Sequence, residues 1–283
     1  MSLNSSFIPS SSDVERYQRL RRLARDLNHR ILKTIPRMAL YEVGEAVGIL
    51  HRGVLVFNSE DETHIQMDCC LYDWMQNGKN LVEKYAENHP PAPGTEEDEL
   101  LRAYLQAQYR ILIPQSAVQG AGAYCVDLLS AEELFIMDTG LSYNPLDVAY
   151  ATRTIPLGQF WMTGGAALPT GRTTIEDAID RLKKQRLLVD GKFTDPHKAA
   201  LILVRRLLEG GASQHVAYEH MEDASEAPIL SQTGCSGCPV PGPQFPLPLR
   251  QRQEIQAVLR GESLNRSGAI HAGLPEAHRR WDN

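Results

Sequence analysis

Hydrophobic and polar positions along this chain change period twice, and those changes divide it. From Asp13 the apolar residues Tyr17, Leu20, Ala24, Leu27 and Ile31 recur at alternating three- and four-residue steps, one stripe of an amphipathic helix that Pro36 terminates, with Asp13 as its expected N-cap. Helical spacing continues through Met38 to Leu50 and, after a short strand at Val54 to Phe57, from Asp61 to Gln76, where Asn77-Gly78 is a stop signal. A further helical stretch, Lys79 to Asn88, halts at the stiff run His89-Pro90-Pro91-Ala92-Pro93-Gly94. Thr95 with Asp98 then caps a helix that extends to about Gln108.

Between residues 110 and 168 the pattern becomes short apolar runs at strand length: Arg110 to Val118, Ala123 to Leu129, Leu134 to Asp138, Val148 to Ile155 and Gln159 to Thr163. Gly120, Gly122, Ser130 to Glu133, Asn144-Pro145 and Pro156-Leu157-Gly158 separate them with residues whose backbone preferences suit reversals. The expectation is an antiparallel meander curled into a small barrel, with Val126, Leu128, Leu134, Ile136 and Phe160 buried. Helical spacing then returns, with Thr174 and Asp177 as a cap, Val189 to Lys192 as a turn, and Asp195-Pro196 opening a last helix that reaches Gly210-Gly211. No internal repeat is visible in the sequence.

The fold class predicted is therefore α+β. Its expected divisions are a disordered N-terminus (1–12), a helical region (13–109), a small antiparallel β-barrel (110–169) and a helical pair (170–222). A Pro-rich extended arm (223–283) ends the chain, with Pro228, Pro239, Pro241, Pro243, Pro246 and Pro248 close together and a short helix at Arg250 to Arg260.

Composition narrows the setting. A chain of 283 residues is long enough to bury a core without covalent staples, and its five cysteines are odd in number and follow no disulfide spacing, which fits a reducing cytoplasm. The start of the sequence is polar rather than apolar, and no segment reaches membrane-spanning length, so a cytoplasmic protein without membrane contact is expected. Net charge is −6, which gives no overall attraction to nucleic acid, but the sign is unevenly distributed. Arg16 to Arg37 holds eight lysines or arginines against Asp26 alone, while Glu60 to Glu99 is acidic.

Tyr124 to Glu133, Ala149 to Arg153 and Phe160 to Pro169 together resemble a block found in uncharacterised bacterial proteins, some of which carry a SEC-C zinc motif elsewhere. The resemblance covers about a fifth of the chain. It implies a barrel-like segment and no established activity. The SEC-C ligand pattern, a Cys-x-Cys pair followed by Cys-Cys or Cys-His, is absent here.

The candidate chemistry has four parts. Cys235 and Cys238, in Cys-Ser-Gly-Cys-Pro, can hold zinc if a second ligand pair joins them, and are otherwise two solvent-facing thiols of the arm. His215 and Glu219 lie four apart with His220 adjacent, a surface pair or half of a metal site. Asp127 and Asp138 are turn formers or a carboxylate pair, and Cys69-Cys70 is core filler or a nucleophile. Arg16, Arg19, Arg22 and Arg30 of the first helix are candidate phosphate contacts, the alternative being that this helix docks on acidic surface of its own chain. The expected function is binding of nucleic acid or another protein, with homo-oligomers formed through the arm; the competing reading is a metal- or thiol-dependent enzyme with its site beside the barrel.

Overall fold

A computed structural model describes residues 7–143, 146 and 148–212. Its α+β architecture places helices before and after a closed five-stranded barrel. Helix α1 (Ser11–Leu32) buries the expected stripe of Tyr17, Leu20, Ala24, Leu27 and Ile31. Its N-cap is Ser10 rather than Asp13: Asp13 stands three positions later and accepts from the Ser10 backbone N–H at 2.9 Å, completing a reciprocal capping box. After α1 come α2 (Arg37–Val47), the hairpin β1 (Leu50–His51) and β2 (Val54–Leu55), α3 (Glu60–Tyr72), α4 (Leu81–Asn88) and α5 (Glu96–Tyr104).

The barrel is built from β3 (Gln108–Val118), β4 (Gly122–Asp127), β5 (Glu133–Met137), β6 (Ala149–Leu157) and β7 (Phe160–Thr170), in the order β3-β4-β5-β7-β6 and back to β3. It is not a pure meander. β5 and β7 run parallel, because β6 pairs with β3 before the chain turns at Gly158 and returns to close the cylinder. Numbered within the barrel this is the order 1-2-3-5-4-1, the arrangement of OB-type barrels. Leu112, Ala123, Cys125, Leu134, Ile136 and Tyr150 form one packed cluster, with Leu141 from a short 3-10 turn (Leu141–Tyr143) added at one end. Leu128 and Phe160 are also buried, whereas Val126 is half-exposed.

β7 extends seven residues past the expected end at Thr163. Gly164 and Gly165 within it lie in a bulge: Thr152 pairs with Ala167 and Thr154 with Thr163, so Gly164, Gly165 and Ala166 stand opposite Arg153 alone. A β-carbon on Gly164 would lie 3.0 Å from Arg153 Cβ and 3.1 Å from Asp68 Oδ1. The bulge therefore makes room for a charged pair between barrel and helix.

Helix α6 (Arg172–Lys184), the hairpin β8 (Leu188–Val189) and β9 (Lys192–Phe193), and α7 (Pro196–Glu209) complete the described chain. Gly171 is the N-cap of α6, one turn earlier than the Thr174 cap expected, and Asp195 caps α7 as expected. These elements repeat the geometry of α2, β1, β2 and α3. Both first helices end on a left-handed residue, Gly48 (φ 86°) and Arg186 (φ 57°). Each closes with the same backbone bond, from Ile49 N–H to Gly44 O and from Leu187 N–H to Leu182 O, both 2.9 Å. Both hairpins turn on two residues of positive φ, Arg52-Gly53 and Asp190-Gly191. Val56 N–H to Ile49 O and Thr194 N–H to Leu187 O extend the two ladders. Every one of these pairs is offset by 138 positions, for example 187 − 49 and 194 − 56. The chain thus holds two copies of a helix–hairpin–helix unit, and they meet where α2 packs on α7.

Candidate functional site

Two places stand out, a sealed charge cluster and an open hairpin. In the cluster, Arg153 leaves β6 toward the end of α3 and is only 3% exposed. Its Nε donates to Asp68 Oδ2 at 3.1 Å and its Nη2 to Asp73 Oδ2 at 2.5 Å, while the rings of Tyr72 and Tyr109 lie 4.7 and 5.1 Å from the guanidinium carbon. Two buried carboxylates thus share one cation. Burial raises the Asp68 carboxyl to about 6, opposed by Arg153 and reinforced by the Asp73 charge. His197, the second residue of α7, places Nδ1 2.8 Å from the Tyr72 carbonyl and 3.8 Å from Asp73 Oδ1, an oxygen with no hydrogen-bond partner among the described residues. The nearby Asp73 carboxylate raises the His197 value, against the opposing effect of burial.

Asp68, Cys69 and Asp73 bring ligand-type atoms within 4.8 Å of one another. The Arg153 guanidinium already bridges both carboxylates, so the position of a cation is filled by a side chain of the protein. Cys69 and Cys70 are core residues, and burial pushes the Cys70 thiol up to about 12 and raises that of Cys69 well above the ordinary thiol value, far from the thiolate a nucleophile requires. Cys125, inside the barrel, is raised in the same way. Asp127 and Asp138 do not form a carboxylate pair: Asp127 accepts from Arg110 at 3.0 Å and caps the turn at Leu129 and Ser130, whereas Asp138 accepts from Arg21, Thr163 and the Leu141 backbone.

Of the four arginines singled out on α1, three reach the acidic first turn of α5. Arg16 pairs with Glu99, Arg19 with Glu96 at 3.2 Å and Arg30 with Glu97 at 2.6 Å, and Arg16 also lies over the Phe160 ring. Arg22 is exposed and makes no ion pair among the described residues. Cys235, Cys238, His215, Glu219, His220, the Pro-rich arm and the helix expected at Arg250 to Arg260 lie outside the described residues. Among those described, no helix is long and apolar enough to cross a membrane.

The open place is the first hairpin, and its copy supplies the control. The tip of the second hairpin rests on the barrel: a β-carbon on Gly191 would stand 2.5 Å from the Leu129 carbonyl oxygen, whereas nothing among the described residues lies within 4 Å of the same point on Gly53. Leu55 packs down on α2, where Gly44 leaves space for it. The residues around it face solvent, with Val54 62%, Val56 44% and Phe57 37% exposed. At the matching positions of the second hairpin, 138 residues on, Val54 and Val56 are replaced by the exposed polar residues Lys192 and Thr194. At these two positions the seated hairpin is polar and the free one apolar; at the third exposed position the sense is reversed, with Val189 (48% exposed) in the seated hairpin and His51 in the free one. The sequence held a signal for this, the run Val54-Leu55-Val56-Phe57 after a two-residue turn, but no means of telling that both faces of the run would not be covered.

No curated protein and no solved structure matches the chain. A family model does, over residues 11–207, from the first residue of α1 to the last turn of α7. The chain therefore belongs to the Family of unknown function (DUF7986).

Proposed function

We propose that this protein is a binding module for another protein, and that the β1–β2 hairpin is its docking element. The observation that carries the reading is the contrast between the two hairpins: at equivalent exposed positions, Val54 and Val56 stand where the seated copy has Lys192 and Thr194. A two-stranded hairpin with both edges unpaired among the described residues and an apolar surface matches the way partners add to a sheet or cover an apolar patch. Replacing Val54 with Lys and Val56 with Thr copies the seated hairpin onto the free one. Such a variant is expected to melt like wild type, because exposed substitutions move stability by about 0.5 kcal/mol or less. It should also lose a partner that wild type retains in affinity capture from its native cells. Retention of the same partners at the same yield would remove the hairpin from the account.

A second reading, single-stranded nucleic acid on the barrel, is favoured by the OB-type strand order and by the rings of Tyr124, Phe135 and Phe160. Against it, the Phe7 ring already packs at a tilt against Phe135 and Phe160, and Tyr124 donates to the Phe7 carbonyl at 2.6 Å. Salt-dependent binding of an oligonucleotide, lost in Tyr124→Ala, is the result that would promote this reading over the first.

A further inference from the structure

The cluster around Arg153 is short of one positive charge. Asp68 and Asp73 are both buried, Arg153 is the guanidinium between them, and Asp73 Oδ1 faces no donor within hydrogen-bond distance among the described residues. A buried carboxylate oxygen without a donor is costly, and the cost falls when a second cation comes within a few ångströms. One group is placed to become that cation. His197 is half-exposed at the start of α7, so protons reach it, and its Nδ1 lies 3.8 Å from Asp73 Oδ1. Its Nδ1–H donates to the Tyr72 carbonyl at 2.8 Å, which ties the first turn of α7 to the last residue of α3.

We propose that His197 is a proton-operated latch: protonated, it brings a second cation to Asp73 and fastens the start of α7 to the end of α3, and neutral, it keeps only the Tyr72 hydrogen bond. The groups around it set the sign. From α3 and the residue after it come the Tyr72 carbonyl and Asp73; behind Asp73 lie Arg153 of β6 and, across the guanidinium, Asp68. On its own helix, Asp195 favours the cation, while Lys198 and the positive end of the α7 dipole oppose it. Two nearby carboxylates against one buried guanidinium leave the balance on the side of the imidazolium. The latch bears on more than one helix. α7 packs on α2 as well as α6, and Arg205 lies against Gly48 at the root of the free hairpin, so a looser α7 loosens the base of that hairpin.

The sign of the pH dependence follows. His197 in the folded protein titrates above the unfolded value, so the stabilisation is full at pH values below about 6.5 and is lost as pH rises through the folded value. The test is amide hydrogen exchange of Ala199 to Val204 at pH 6 and pH 8, corrected for intrinsic rates, in wild type and in His197→Asn, whose amide can keep the Tyr72 bond but cannot take up a proton. Wild type should lose protection in α7 by about threefold or more on going to pH 8, and the variant should not. Equal losses in both proteins would overturn the latch. Should the variant fail to fold, the ring resonances of His197 in wild type decide: an inflection above about 6.5 supports the latch, and one at or below it refutes it.

Discussion

Replacing Arg153 with Leu keeps most of the side-chain volume and removes the guanidinium between Asp68 and Asp73. Both carboxylates are nearly inaccessible, and their hydrogen bonds to Arg153, at 3.1 and 2.5 Å, would be lost together with the contacts to Tyr72 and Tyr109. Breaking a buried ion pair from one side costs about 3–5 kcal/mol, because the other charge stays buried without compensation. Here two charges are stranded, so the upper part of that range is expected. For a folded unit of this size each kcal/mol is worth about 2–4 °C, which predicts a fall in Tm of roughly 10 °C or more. The deficit should shrink toward pH 4, where the carboxylates protonate in the unfolded chain as well. The triple variant Asp68→Asn, Asp73→Asn, Arg153→Leu should recover most of the loss, since a neutral, well-packed set often matches a buried ion pair. Urea unfolding by linear extrapolation measures all of these. A loss below about 1 kcal/mol in Arg153→Leu, or a triple variant no better than the single one, would show that the cluster is not the electrostatic keystone argued above.

Asp68 should also shape the pH profile. Its folded carboxyl titrates at about 6 against 3.8 for an ordinary solvated aspartate, so its contribution to stability is full below the lower value and is lost as pH rises through the higher one. That span is worth about 3 kcal/mol at 1.36 kcal/mol per pH unit, and Asp68→Asn should remove this component from the unfolding free energy measured between pH 4 and 7. Gly122→Ala should cost about 3 kcal/mol, because its β-carbon would fall 2.0 Å from the Ile136 carbonyl oxygen. Gly53→Ala, in open space at a φ of 79°, should cost about 1 kcal/mol by the same denaturation assay. The variant Arg16→Gln, Arg19→Gln, Arg30→Gln should lower stability by about 1–2 kcal/mol in total, at 0–1 kcal/mol for each exposed pair. It should leave any salt dependence of nucleic-acid binding unchanged; a slope flattened by about 0.9 per arginine would instead restore the phosphate-contact role.

The barrel was legible because its signals are local: apolar runs at strand length, with Gly and Pro at the turns, depend on residues within ten positions of one another. The parallel pairing of β5 with β7 was not, since nothing in either strand records which neighbour closes the cylinder. The two hairpin units escaped notice because, over the stretch from Gly44 to Val56, only Leu50 and Gly53 recur as the same residue 138 positions later. What recurs is backbone geometry, and Gly48 and Arg186 reach the same left-handed turn from different residue types. Arg153 and its partners lie 80 and 85 positions apart, beyond any spacing rule. The traces they left were an arginine inside an apolar strand, Gly164-Gly165 in the next, and Asp68 and Asp73 flanking an apolar run. The basic face of α1 was visible, but the identity of its counter-charges required the packing of α5 beside it.

The docking role of the free hairpin is tested most directly by a photo-crosslinking residue placed at Val54 and, as the matched control, at Lys192, in cells that express the protein at its native level. The account predicts a discrete covalent adduct from position 54 that disappears when Phe57 is replaced with Ser, and none from position 192. Equal adducts from both hairpins, or none from position 54, would contradict it.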